Sequence, residues 1–488
     1  RMTRLVIVGN GMVGSRFALD LLAADDPGRF EVDQFGAEDC RPYNRVLLSD
    51  VVSGARDVAS IGLPQAEHPR VRVHQGCTVV GIDREDRAVL RSDGLRTRYD
   101  LLVLATGSAA RLPDLPGLAG GDLPRGVKAL RTIDDARAIA AASLNARNAV
   151  VLGAGVLGLE VACGLRRRGV CATVVHPRHT LMERQLDADS SAVVRATLDD
   201  LAIDQRVGVN ATGIDVAGDR VTGVRLDSGE VLPCDLLVIA VGTLPDTRLA
   251  AAAGLGVDRG IRVTDTLVTT HDRRIFAIGD CAQPPEGSSG LVAQGWSQSR
   301  RLAARLTEST NAFRERPRGV PSPDDVVRLK APGLDVVTMG ICGSRRADEP
   351  GQRTLRLSDP GAGRHIELVI TDDRLAGATL VGAGPLAAQL LTTYTQGGLL
   401  PRDPLLLLLD RAAFGSSTED TADRLVCRCN DVRAGEITDC IDHGATTVDT
   451  VAAATRATTG CGSCREDVCA LLAARRHTPP VLTPAKHP

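Results

Sequence analysis

Twice along this chain a short apolar run rich in β-formers breaks into three closely spaced glycines and then into a helical pattern. The first is TRLVIVGNGMVGSRFALDLL, with Gly9, Gly11 and Gly14, and the second is NAVVLGAGVLGLEVACGL, with Gly153, Gly155 and Gly158. At G-x-G-x-x-G spacing between a strand and a helix, glycines allow a tight turn. They also let the backbone approach a pyrophosphate, which rests on the amides and positive end of the helix. One match alone would also suit an ordinary glycine turn. Two in the right context predict two dinucleotide sites in an α/β fold whose sheets are mainly parallel with helices on both faces.

The strand after each motif refines the reading. FEVDQFG leads to Glu38, 24 positions beyond Gly14, close to the offset of about twenty at which an acid holds a ribose hydroxyl. Asp39 is the fallback. The corresponding strand after the second motif, VCATVVHP, ends at His176 and Pro177, so the usual ribose acid of an NAD site is missing. Arg178 and His179 lie just beyond and suit either a 2′-phosphate or a solvated loop, which leaves NADH and NADPH both open.

Composition removes other classes. The 58 Lys and Arg nearly cancel the 60 Asp and Glu, aromatics are 2% of 488 residues, and nine histidines are scattered. Neither nucleic acid nor an acidic membrane surface is expected as a partner. The chain opens with no signal-peptide pattern, and no apolar run nears the roughly 20 residues that span a bilayer, so the expected location is the cytoplasm.

The 13 cysteines are unevenly placed. Eight stand apart (Cys40, Cys77, Cys163, Cys171, Cys234, Cys281, Cys342 and Cys440), where a small buried hydrophobe would serve as well, and five crowd the last 62 residues. There Cys427 and Cys429 form CxC and Cys461 and Cys464 form CxxC, with 31 residues between the pairs. Four such thiolates suit a [2Fe–2S] cluster or tetrahedral zinc. Cys469, one helical turn beyond Cys464, is expected to be a packed thiol.

Three further phrases, LLVLATGSAARLP, LLVIAVGTLPDT and RIFAIGDCAQ, resemble the marks of two-dinucleotide flavoprotein reductases of the glutathione-reductase-like fold. The resemblance implies that Thr106 and Gly107 close over FAD, that Asp280 reaches the flavin ribityl chain, and that Gly242 belongs to the cofactor-binding set. Taken alone, Asp280 would also serve as a helix N-cap. Disulfide reductases of that superfamily carry a cysteine pair near the flavin, whereas only Cys40 occurs in the corresponding region, so no dithiol exit is expected there. Residues 425–474 resemble bacterioferritin-associated ferredoxin, which implies Cys427, Cys429, Cys461 and Cys464 as ligands of a [2Fe–2S] cluster.

RPYNRVLLS, VVHPRHTLMERQLD, GLVAQGWSQSR and VVRLKAPGLDVVTMG are similar to the reductase half of assimilatory nitrite reductase large subunits and to electron-transfer subunits of assimilatory nitrate reductases. That likeness implies that the Arg45 segment wraps FAD and that Glu160, the catalytic candidate, lies close to the nicotinamide–flavin stacking site. One departure stands out: Asp50 follows Ser49 where related ferredoxin reductases often have Lys.

The implied layout is an FAD domain over residues 1–113 and 239–318, an inserted NAD(P)H domain over 114–238 and a small α+β domain over 319–412. A linker (413–424), a small helical [2Fe–2S] domain (425–474) and a Pro-rich tail (475–488) complete it. The function it implies is oxidation of NAD(P)H, with NADH preferred, and delivery of electrons through FAD and the cluster to a molybdenum catalytic subunit of nitrate reductase. No sirohaem region follows the last ligand, so no nitrite-reducing centre is expected within the chain. The alternatives are donation to a separate sirohaem nitrite reductase, to a ferredoxin or to a rubredoxin, and a flavoprotein whose terminal module is a zinc-stapled docking domain.

Overall fold

Thr3–Val8 lies inside a six-stranded sheet, with Phe30–Phe35 and then Val71–His74 on one side and Leu101–Leu104 and then Asp272–Ala277 on the other. These five strands are parallel, and Val268–Thr269 adds an antiparallel edge. Leu5, Val6 and Ile7 are almost wholly inaccessible, as a run buried on both faces of a parallel sheet must be. The computed structural model describes residues 2–25, 27–118, 123–308, 325–343, 351–408, 422, 424–427, 430–460, 462 and 464–476.

A second sheet is parallel throughout, in the order Asp204–Val207, Cys171–His176, Asn148–Leu152, Leu236–Ile239, Val127–Ala129. It lies entirely between Leu101–Leu104 and Asp272–Ala277 in sequence, so it is an insertion into the first sheet's connectivity. The outgoing and returning chains are zipped together by an antiparallel pair, Ser108–Ala110 with Thr243–Pro245.

Beyond these, Val327–Ala331, Leu334–Gly340, Arg374–Val381, Arg364–Thr371 and Arg353–Asp359 form an antiparallel sheet, as the alternation of apolar and polar residues predicts. Helix Gly384–Gln396 covers one face through Leu386 and Leu390. From the other face Leu329, Val336 and Val381 join the core that contains Leu159 and Leu198. All of this belongs to one compact unit, Arg1–Phe414.

The remaining residues form a second unit, Gly415–Pro488. A short hairpin, Leu425–Cys427 with Val432–Arg433, accompanies helices Ala434–Asp442, Val448–Thr455 and Arg465–Arg476, packed on Val426, Ile437, Val451 and Val468. Most of the expected linker and nearly all of the Pro-rich tail lie outside the described residues. No helix among the described residues is long and apolar enough to cross a membrane.

Two cysteine expectations need correction. Cys171 and Cys469 are exposed. Cys171 opens its strand, and Cys469 follows the buried Val468 by one residue, which turns its side chain to the outer side of the helix.

Asp25 ties the first helix to the sheet. Its buried carboxylate accepts hydrogen bonds from the amides of Arg29 (3.0 Å) and Phe30 (3.1 Å) and pairs with Arg70 at 2.6 Å, just before the third strand. Asp25→Ala leaves two amides and a guanidinium short of a partner. It should lower stability by roughly 2–4 kcal/mol, measured by thermal or denaturant unfolding.

Candidate functional site

The two glycine turns are built alike. At Gly9 (φ +124°) a Cβ would stand 2.1 Å from the Ala105 carbonyl oxygen, and at Gly14 one would stand 2.2 Å from that of Gly9. The equivalent distances are 2.4 Å from Gly153 to Ala240 O and 2.0 Å from Gly158 to Gly153 O. The outer glycines are therefore demanded by the packing of strand, turn and helix. The middle ones are not: around Gly11 the nearest atom is 4.0 Å away, and around Gly155 nothing lies within 4 Å.

Gly11 and Gly155 are the N-caps of helices Met12–Ala24 and Val156–Arg167, and neither helix has a side-chain cap or an acid in its first turn. Helices Ile133–Ser143 and Ala188–Asp200, by contrast, carry full capping boxes. Two positively polarised helix ends are thus left for an anion, with the space before them clear.

An open cavity of about 1060 Å³ lies before the first of these ends and brings together Gly9, Gly11, Glu38, Arg45, Thr106, Gly107 and Asp280. The acidic groups Glu38 and Asp280 in it are already paired. Glu38 accepts a 2.6 Å hydrogen bond from the Tyr43 hydroxyl and forms a close ion pair with Arg45. The Tyr43 oxygen in turn accepts from Arg45 (2.9 Å) and from the Ile133 amide (3.0 Å), and burial raises its phenol well above the usual range.

Arg45 also donates to the Arg131 carbonyl at 2.9 Å, which links this group to a second. Asp280 Oδ2 accepts from Ser108 Oγ at 2.7 Å and from Arg131 at 2.9 Å. Thr106 Oγ1 donates to the Asp246 carbonyl (2.7 Å), and the Gly107 carbonyl accepts from the Asp246 amide (2.9 Å). Tyr43, Ser108 and Arg131 were not singled out from the sequence. Tyr43 stands inside the quoted RPYN phrase, but nothing in the spacing marks Ser108 or Arg131.

Glu160 does not line this cavity. Its enclosed carboxyl accepts from Ser49 Oγ at 2.7 Å and from the Lys330 amide at 3.4 Å, joining helix Val156–Arg167 to helix Leu48–Ser53 and strand Val327–Ala331. Burial pushes its pKa up to about 7; the two hydrogen bonds oppose the rise and Asp50 adds to it. Asp50 itself pairs with Arg56 at 3.0 Å. Gly242 (φ +100°) lies in the returning chain, where its carbonyl accepts from the Arg111 amide at 2.9 Å. Arg178 is exposed on the loop after Cys171–His176.

In the smaller unit Cys427 and Cys464 are both buried, while Cys429 and Cys461 lie outside the described residues. The described sulfurs are targets of N–H donors: Asn430 Nδ2 stands 3.6 Å from Cys427 Sγ, and the Thr458 amide is 3.2 Å from Cys464 Sγ. Asn430 also donates to the Arg456 carbonyl (2.6 Å) and to Thr459 Oγ1 (3.1 Å), bridging the two cysteine-bearing turns. Buried sulfurs met by amide donors are the environment of metal-bound thiolates, so these residues fit an iron–sulfur cluster.

Two parallel sheets, each ending in a glycine turn at an uncapped helix, define a two-dinucleotide oxidoreductase. The chain belongs to the pyridine nucleotide-disulphide oxidoreductase family, which residues 3–303 match, and residues 425–474 match the BFD-like [2Fe–2S] binding domain. It is an NAD(P)H-dependent flavoprotein whose cofactors are FAD, a nicotinamide dinucleotide and a [2Fe–2S] cluster.

The chain is 31% identical to the nitrite reductase [NAD(P)H] of Bacillus subtilis, over 95% of this chain and 56% of that protein. It is 30% identical to the assimilatory nitrate reductase electron transfer subunit of the same organism, over 99% of this chain and 61% of that one. It therefore spans a little over half of these relatives' lengths. A covalent putidaredoxin reductase–putidaredoxin complex has a similar structure, with TM-score 0.70 and 27% identity over 83% of this chain and 95% of that one.

Two outcomes follow from this geometry. Gly155→Val should leave the melting temperature within about 2 °C yet raise the KM for the nicotinamide dinucleotide at least about tenfold, because its side chain fills only the approach to the helix end. Gly158→Val meets a carbonyl and should destabilise by roughly 3 kcal/mol or prevent folding. Thermal unfolding read beside nucleotide titration separates the two.

Glu160 binds its proton more tightly in the folded chain than when unfolded. Its contribution to stability is therefore complete below about pH 4.5 and is lost as pH rises to about 7. Glu160→Gln should recover up to about 3 kcal/mol at pH 8 and nothing at pH 4.5. Unfolding free energies measured at the two pH values check the sign.

Proposed function

We propose that this chain oxidises NADH in the cytoplasm and supplies electrons to the molybdenum catalytic subunit of an assimilatory nitrate reductase. The supporting observation is the 99% span of this chain matched by an electron transfer subunit of that system, with the reductase and cluster regions together. A second reading, supply of a sirohaem nitrite reductase, is supported by the 95% span shared with the nitrite reductase.

In this proposal Gly9, Gly11 and Gly14 admit the FAD pyrophosphate to the start of Met12–Ala24, and Glu38 faces its ribose. Arg45 and Tyr43 hold that carboxylate in one rotamer. Thr106 and Gly107 shape the cavity wall, and Ser108 and Arg131 hold the Asp280 carboxylate in place through hydrogen bonds of 2.7 and 2.9 Å. Gly153, Gly155 and Gly158 perform the same service for the nicotinamide dinucleotide at Val156–Arg167, with Gly242 and the Arg178 loop at its edges. Glu160 is a positioning residue, fixing that helix against Leu48–Ser53 through Ser49.

FAD, when bound, supplies the conversion between a two-electron donor and the single electrons a [2Fe–2S] centre accepts. Cys427, Cys429, Cys461 and Cys464 would hold that centre, and Asn430 with the Thr458 amide would orient two of the sulfurs and stabilise their charge.

Cys464→Ser should lose iron while keeping FAD and most NADH-driven ferricyanide reduction. Mixed with the molybdenum subunit, the unaltered chain should give NADH-dependent nitrate reduction and the variant should not. If nitrite reduction with a sirohaem partner appears and nitrate reduction with the molybdenum subunit does not, the second reading replaces the first.

A further inference from the structure

The strand Cys171–His176 ends without the acid that normally meets the adenosine ribose, and the structure brings one in from further along the chain. His176 is buried. The Ala154 amide, inside the Gly153–Gly155 turn, donates to its Nδ1 at 3.3 Å. With Nδ1 accepting, Nε2 carries the hydrogen and donates to Glu183 Oε2 at 3.1 Å. The neighbouring Met182, in the left-handed region at φ +47°, donates its amide to the Ala154 carbonyl at 3.0 Å. Residues 182 and 183 are thus tied to the glycine turn twice, once by backbone and once through His176.

The backbone of Arg178 and the ring of His179 are placed toward the outer strand. The Arg178 carbonyl accepts from the Gly208 amide at 3.1 Å, and the His179 ring lies so close to Gly208 that a Cβ there would stand 2.2 Å from it. Gly208 follows Asp204–Val207, which flanks Cys171–His176 on the side away from Asn148–Leu152 and its glycine turn. The loop therefore divides, with the Arg178 backbone and the His179 ring held at the outer strand and the Glu183 carboxylate held through His176 at the glycine turn.

We infer that Glu183 is the specificity-determining residue of the nicotinamide dinucleotide site. Its carboxylate accepts the 2′-hydroxyl of NADH and repels the 2′-phosphate of NADPH, while His176 is the positioning residue that holds it there. A carboxylate in hydrogen-bond reach of a ribose hydroxyl gains a charge-assisted bond, and the same carboxylate against a phosphate dianion suffers like-charge repulsion. The inference rests on the reading that the second glycine turn binds the nicotinamide dinucleotide.

The test uses the full-length holoprotein with two variants. Glu183→Gln keeps an acceptor but loses the charge, and should raise kcat/KM for NADPH at least about tenfold while lowering that for NADH severalfold through KM, so that the NADPH/NADH ratio rises. Glu183→Ala loses both and should weaken NADH as well, through KM rather than kcat. Protection against thermal unfolding by ADP-ribose and by its 2′-phosphorylated form gives a readout independent of turnover and should follow the same order. An unchanged NADPH/NADH ratio in both variants, with NADH still oxidised, overturns the inference. So does NADPH preference in the unaltered protein that Arg178→Ala abolishes. Failure of either dinucleotide to bind would instead refute the underlying reading of the site.

Discussion

The larger unit depends on how near two glycine turns come to the carbonyl that ends a neighbouring strand. Gly9 lies against Ala105 and Gly153 against Ala240, each too closely for a side chain. In each sheet the turn leaves a strand whose two neighbours belong to opposite directions of winding, Phe30–Phe35 and Leu101–Leu104 in the first, Cys171–His176 and Leu236–Ile239 in the second. That is the switch point of a doubly wound sheet, where the strand ends splay and a crevice opens. The close contact draws the helix start to the mouth of this crevice, so the packing requirement and the binding requirement are met by one piece of backbone.

Around the first crevice two carboxylates, Glu38 and Asp280, are paired before any ligand enters. Arg45 neutralises Glu38, Arg131 neutralises Asp280, and a hydrogen bond from Arg45 to the Arg131 carbonyl couples the pairs. None of these side chains must search for its rotamer when a dinucleotide arrives, which lowers the ordering cost of binding. Glu160 is different, because it gains no cation where it is enclosed, and burial therefore leaves it half-titrated near neutral pH.

What was legible in the sequence follows from what each feature demands of residue identity. The turns require glycine at fixed offsets, and both were read with their strands and helices. The antiparallel sheet was visible as alternation, and the four-cysteine module as spacing. Features made by distant segments were not visible: Arg131 and Ser108 meet Asp280 across 149 and 172 residues, and neither carries a local signature. The His176–Glu183 contact spans only seven residues, yet it depends on Met182 adopting a left-handed conformation, which β-branching, charge and periodicity do not announce. Cys171 and Cys469 were misjudged because burial was assigned by residue type, whereas exposure depends on strand ends and on 100° steps around a helix.

The zipped pair Ser108–Ala110 with Thr243–Pro245 has a consequence for how the chain is made. Leu101–Leu104 receives its outer neighbour, Asp272–Ala277, only after the whole inserted sheet has been synthesised. At about 5–20 residues per second, the 172 residues from Ser108 to Asp280 occupy a ribosome for roughly ten to thirty seconds. For that interval an apolar strand waits with one edge unpaired, open to wrong partners. The inserted sheet, whose strands all lie between Val127 and Ile239, can close first and present Thr243–Pro245 to the waiting chain. Once Thr243–Pro245 has paired with Ser108–Ala110, the loop left to close before Asp272–Ala277 meets Leu101–Leu104 is short, so the insertion lowers the chain-entropy cost of completing the sheet it interrupts.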